Sequence, residues 1–315
     1  MVRWVRVVWG VALLATAAAA CGRSSGTTSP QLGQRSTKAT SGGVPSSGPV
    51  SDVLPEQTTV TVTATSTTTV MSSPSTSTSS SAPFTSATAK SVALGGSVRG
   101  KVIVLDPGHN GENAAHVGEI SRLVNIGNGM KACNTTGTET NAGYSEAAFN
   151  WDLAVSVDAI LRQAGATVVL TRQNNAGWGP CIDQRAAIAN QAHAAAAVSI
   201  HGDGASASDR GFHVIYPIPL AGLNATIAGP SKLLAGDLRD AFAHDTSMPI
   251  SNYAGTDGLA PRSDIGGLNL AKVPAVLIEG GNMRNSTDAA LLSNPAWRQQ
   301  AAVAIAQGIA AFVSP

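Results

Sequence analysis

Charge is scarce in this sequence. Only 12% of the residues are Asp, Glu, Lys or Arg, and the formal net charge is +1. Nucleic-acid binding usually rests on a strongly basic face, so this balance argues against nucleic acid as a partner. Hydrophobic runs long enough to cross a bilayer are also missing. The apolar stretch at 7–20 is short and rich in alanine, whereas a spanning helix needs about 20 apolar residues. Cysteine is limited to Cys21, Cys133 and Cys181. No internal repeat is evident.

The low charge has a local cause. Residues 22–95 are mostly Ser, Thr, Gly, Pro and Ala. Such a segment has too little apolar surface to offset the entropy of ordering it. It reads as a disordered tether that spans part of a cell envelope or carries O-linked sugar, with a plain solvated spacer as the simplest form. One globular domain remains, 96–315, large enough for a substantial core. Ahead of the tether, Arg3 and Arg6 precede the apolar run, which ends in Ala18-Ala19-Ala20-Cys21. A basic start, a short apolar middle and small residues at the cut describe an export signal over 1–21. The sequence around Cys21 also resembles a lipoprotein cleavage site, which would attach the protein to a membrane through lipidated Cys21. Leu is missing from three residues before that cysteine. Either way the domain is expected to work outside the cytoplasm, as a monomer. An oxidising compartment favours a disulfide between Cys133 and Cys181, with two separate buried thiols as the alternative.

The domain alternates strand-like and helix-like segments. Strands are expected at 101–105, 166–170, 195–200, 212–216, 268–270 and 275–278. Helices are expected at 145–164, 183–192, 232–243 and 295–312. In the first helix, Ser145 can cap the start, and Phe149, Leu153, Val157, Ile160 and Leu161 share one face. This alternation predicts an α/β fold: a central sheet of about six strands, mostly parallel or mixed, with helices on both faces. Ligands in such sheets gather outside the carboxyl ends of strands.

Polar residues fall at those ends. The first strand runs into Asp106-Pro107-Gly108-His109, the third into Ser199-Ile200-His201-Gly202-Asp203, and the last into Glu279-Gly280-Gly281-Asn282. Ser145-Glu146 sets a further carboxylate at a helix start. Two imidazoles and a carboxylate suit a catalytic zinc with an open position, and a second carboxylate suits a general base. Each piece alone has a plainer reading. A histidine after a strand is more often structural, and a glutamate in a first helical turn more often serves the helix dipole. Their combination at converging ends is what points to chemistry. His116, His193, His213 and His244 lack such context. Asp106 and Asp203 are candidates to orient the imidazoles, or else to stabilise turns. Arg172 and Arg185 read as structural.

Taken in order, Val104-Leu105-Asp106-Pro107-Gly108-His109, Ser145-Glu146-Ala147-Ala148-Phe149-Asn150, Leu170-Thr171-Arg172, Arg185-Ala186-Ala187-Ile188-Ala189-Asn190, Ser199-Ile200-His201 and Pro274-Ala275-Val276-Leu277-Ile278-Glu279-Gly280 resemble the zinc-dependent N-acetylmuramoyl-L-alanine amidases of the Amidase_3 type. The resemblance covers about residues 100–313. It implies zinc ligands His109, Glu146 and His201, Glu279 as catalytic base, and a peptidoglycan substrate cut between the muramic acid lactyl group and L-alanine. Glu139 is an alternative to Glu146. The sequence departs from the family at Gly202-Asp203-Gly204 and Gly280-Gly281-Asn282, where substrate fit would be altered. Two rival functions are a zinc peptidase acting within the stem peptide and a non-catalytic wall-binding or activator protein. The intact set of four residues argues against the second. No separate wall-binding module is evident.

Overall fold

The β-branched run Val-Ile-Val-Leu opens the first strand of the domain, β1 (Val102–Pro107). The structure, a computed structural model, describes residues 92–314. The export signal, most of the tether and Cys21 lie outside the described residues. Val92 and Leu94, on the tether side of the expected boundary, pack against the core.

After β1 the chain makes a short helix α1 (Val117–Ile120) and a hairpin of β2 (Leu123–Asn125) and β3 (Met130–Ala132). Helix α2 (Glu146–Gln163) follows. The Ser145 hydroxyl accepts the Ala148 N–H at 3.3 Å, and the five apolar residues at helical spacing are all buried. Then come β4 (Thr167–Leu170), α3 (Ile182–Gln191), β5 (Ala196–Asp203) and β6 (His213–Pro217). Helix α4 (Ala225–Asp245) begins well before the expected 232 and carries Pro230 inside it. An interior proline forfeits one helical hydrogen bond and crowds the preceding turn, so in the sequence Pro230 reads as a break. Buried Asn224 fixes the preceding turn, accepting from Leu220 N at 2.7 Å and donating to Leu268 O at 3.3 Å.

The expected strand at 268–270 is not one. Those residues belong to a short helix α5 (Gly266–Asn269) and its cap Leu270. The sixth strand is instead β7 (Leu259–Arg262), which carries Pro261. Proline is tolerated at a sheet edge, and β7 is an edge strand. The chain closes with β8 (Ala275–Asn282), α6 (Ser286–Leu292) and α7 (Pro295–Val313).

The main sheet has the order β4-β1-β5-β8-β6-β7. All neighbours are parallel except the antiparallel pair β6 and β8. Its two faces are covered unequally. Large residues of α2, α4 and α7 bury one face, among them Phe149, Leu153, Leu234, Leu238, Phe242 and Ile305. On the other, α3 and α5 meet the sheet through small residues such as Ala189, Ala197 and Ala275. The thinner side leaves a cavity of about 470 Å³, reaching from Val104, Ala197 and Leu277 up to His109 and His201. Asp106 of β1, Gly108 and His109 just after it, and Ser199 and His201 of β5 line one part of it.

Candidate metal centre and active site

Two arginines build the turn that presents His109. Arg185 donates through Nη1 to Asp106 Oδ1 at 2.6 Å and Pro107 O at 2.8 Å, and through Nη2 to His109 O at 2.7 Å. Arg172 donates to Pro107 O at 2.8 Å, Gly108 O at 3.3 Å and Ala147 O at 2.8 Å, tying this turn to the first turn of α2. Held in this way, His109 adopts a φ of 56°, a left-handed conformation uncommon outside glycine. Gly108 has no alternative: a Cβ there would lie 2.1 Å from His201 Cε1.

Glu146, at the first position of α2, faces both imidazoles with one oxygen. Its Oε1 lies 2.8 Å from His201 Nδ1 and 3.1 Å from His109 Nε2. Its Oε2 accepts the Thr138 N–H at 3.0 Å. Asn150, one helical turn on, donates to Gly108 O at 3.1 Å and lies 3.5 Å from Glu146 Oε1. Gly137 passes close by with φ +77°, and a Cβ there would meet Glu146 Oε2 at 2.8 Å and His109 Cδ2 at 2.9 Å. The His109 and His201 rings stand nearly perpendicular, at 83° with centroids 5.0 Å apart.

This donor set fits a metal ion. One donor atom from each of His109, Glu146 and His201 lies within 4.8 Å of the others. Thr135 O is 3.0 Å from His109 Nδ1. A carbonyl can only accept, so Nδ1 carries the proton and the Nε2 lone pair is left to point at the centre. Burial disfavours charge on these groups, but their mutual attraction prevails: Glu146 is held well below the usual carboxylate range and His109 is raised. Two imidazole nitrogens and one carboxylate oxygen leave the fourth position of a tetrahedral ion open.

Glu279 stands beside this group. It is in register with His201 on the neighbouring parallel strand, and with His213 across the antiparallel pair. Its Oε2 is buried without a hydrogen-bond partner. Burial, with the negative charges of Glu146 and Asp203, pushes its pKa well above the usual range; Arg262 opposes them. A buried carboxylate of raised proton affinity is suited to take a proton.

Other residues fall differently. Asp106 and Asp203 do not orient the imidazoles. Asp106 binds Arg185, Thr171 and Ser199, while Asp203 accepts from Tyr253 Oη at 2.9 Å and Gly204 N at 2.7 Å. Glu139 is exposed and outside the donor group. His116, His193 and His244 are also outside it. His213 was not marked by any motif, yet pairing places it next to Glu279, its ring edge-on to Tyr253 at 5.7 Å. Thr135 and Thr138 were likewise missed. Asn150 had a usable signal, since it lies four residues after Glu146 on one helix face.

A family model described as N-acetylmuramoyl-L-alanine amidase matches residues 103–311, about two-thirds of the chain. The chain belongs to this amidase family. An N-acetylmuramoyl-L-alanine amidase of Mycobacterium tuberculosis is 43% identical over 234 residues, 74% of this chain and 95% of that protein. The solved structure of the amidase Ami1 from Mycobacterium smegmatis is 46% identical, with a TM-score of 0.65, covering 69% of this chain and 98% of that one. Apo Ami1 from Mycobacterium abscessus is 41% identical, also with a TM-score of 0.65, covering 69% and 100%.

Where this amidase departs from the family pattern, the residues shape loops beside the site. A Cβ on Gly204 would lie 2.8 Å from Thr138 Oγ1. Buried Asn282 donates to Ser206 O and Asp209 O, both at 2.7 Å, and accepts from Ala205 N at 3.1 Å. The two departures thus form one unit that fixes the 204–210 loop.

Proposed function

We propose that this amidase-family protein hydrolyses the peptidoglycan amide bond between the lactyl group of N-acetylmuramic acid and L-alanine. In this reading His109, Glu146 and His201 hold a zinc ion and Glu279 is the base. The observation that carries it is the meeting of three metal-type donors beside the Glu279 carboxylate, in register with His201 on the adjacent strand. Names of the relatives support the choice of bond. Zinc, when bound, supplies Lewis acidity that acidifies water and polarises an amide carbonyl.

The chain's own residues do the rest. Glu279, in register with His201 beside the donor group, accepts a proton from the attacking water. The water oxygen forms a bond to the lactyl carbonyl carbon, and the carbon–nitrogen bond breaks. Glu279 then gives its proton to the departing alanine amine. The Thr135 carbonyl keeps His109 in one tautomer, and the Thr138 N–H keeps Glu146 turned so that Oε1 faces the imidazoles. Residues 1–21 are proposed to direct export, 22–95 to tether the domain, and 96–315 to act on the wall.

Two variants test the assignment side by side. Glu279→Gln is expected to keep its zinc and lose roughly a hundredfold or more in muropeptide cleavage. Glu146→Gln is expected to lose metal along with activity. Metal analysis and cleavage rates decide it: a Glu279→Gln variant cleaving at the wild-type rate puts the base elsewhere, and full zinc occupancy in Glu146→Gln removes that residue from the ligand set.

A further inference from the structure

The loop before α3 exposes an aromatic side chain for which the proposed hydrolysis has no use. Trp178 is 42% exposed, and the His116 ring lies almost flat on it, with centroids 5.6 Å apart and planes 25° apart. Binding residues concentrate on surface loops, and an indole offers a large flat apolar face. The pair is also fixed in place. Glu112 N donates to Gly177 O at 2.9 Å, and Gly179 N to the side chain of Asn113 at 3.0 Å, so the residues on both sides of Trp178 are bonded to the loop that carries His116.

The pair is coupled to the metal centre by short links. Buried Asn113 also donates to Thr135 O at 2.8 Å, the carbonyl that sets the His109 tautomer. Arg185 Nη2 is shared by His109 O at 2.7 Å and Gly179 O at 2.8 Å, which brings the backbone next to Trp178 alongside the backbone of His109. The exposed face of Trp178 is therefore carried on backbone held by the same side chains that hold His109.

Resting on the amidase reading above, we propose that Trp178, backed by His116, is a stacking platform for a pyranose ring of the glycan strand, next to the muramyl unit being cut. A pyranose offers a face of C–H groups with slight positive charge, which suits the negative face of an indole, while its hydroxyls remain in water. The platform does not suit an anionic membrane. Its neighbours Glu112 and Glu119 are acidic and exposed, and Glu119 pairs with His116 at 3.2 Å.

The test uses the full-length chain and a peptide-free tetrasaccharide of alternating N-acetylglucosamine and N-acetylmuramic acid, so that binding is read without turnover. Calorimetry of wild type, Trp178→Ala and Trp178→Phe is run beside spectra of the assigned Trp178 indole N–H. The platform predicts that Trp178→Ala weakens binding by roughly threefold to tenfold. It also predicts that Trp178→Phe keeps most of the affinity and that the wild-type Trp178 signal shifts on titration. An indole signal that does not move overturns the proposal, even if Trp178→Ala is too unstable to measure. Equal affinity in a folded Trp178→Ala also overturns it, as does loss of affinity for phosphatidylglycerol vesicles alone. Muropeptide cleavage by the wild type is read separately. Trp178-dependent binding without cleavage sinks the amidase reading and not the platform; cleavage without such binding sinks the platform alone.

Discussion

Asp106 takes no part in the proposed chemistry, yet three side chains converge on it. Arg185 Nη1 and Ser199 Oγ each lie 2.6 Å from it and Thr171 Oγ1 2.5 Å. Burial alone would raise its pKa, but the Arg185 charge and the hydrogen bonds from Ser199, Thr171 and Arg185 outweigh burial and hold it at about 2. In an unfolded chain Asp titrates near 3.9. A folded value below the unfolded one means that stability is present above about 3.9 and is lost as pH falls through about 2. A shift of this size corresponds to about 2–3 kcal/mol. Denaturant unfolding of the wild type should therefore weaken by that amount between pH 5 and 2 more than it does in Asp106→Asn. At pH 7 the variant should already be less stable by about 3–5 kcal/mol, because Arg185 is left buried and unpaired. Parallel acid profiles for the two proteins would contradict this account of the clamp.

Among the elements, the β2–β3 hairpin and α3 are joined covalently. Cys133 follows β3, Cys181 caps α3, and the two form a disulfide across 48 residues of sequence. Replacing both with alanine should lower the free energy of unfolding by about 2–4 kcal/mol, and reductant should do the same to the wild type. No change in either case would show that the bond constrains nothing. How far the elements were legible depended on what they carried. Helix α2 was readable because cap and apolar face agree, and its start fixed Glu146. His109, Glu146 and His201 were readable as candidate metal ligands because each sits in a local motif. Edge strand β7 was hidden by Pro261, and the start of α4 by Pro230, since proline signals a break whose tolerance depends on tertiary position. Strand β8 runs on to Asn282, past the expected 278, because pairing with β5 continues across a bulge in which Gly280 and Gly281 stand against Gly202. The supports at Thr135, Thr138 and His213 act through backbone or through strand partners distant in sequence. No local pattern encodes such contacts.

At the scale of the whole molecule, an α/β sheet thinly covered on one side brings four chemical groups to the ends of β1, β5 and β8 and to the start of α2. No helix among the described residues is long and apolar enough to cross a membrane. A peptidase acting within the stem peptide would use the same metal chemistry, so only the bond that breaks separates the two. The deciding measurement is mass spectrometry of a defined muropeptide after incubation with the full-length chain, with and without a chelator. The account predicts release of the intact stem peptide with a new amino-terminal alanine, together with the free muramyl acid, and loss of both products when the chelator is present. Fragments cut inside the stem peptide, or the same products at full rate under chelation, would contradict it.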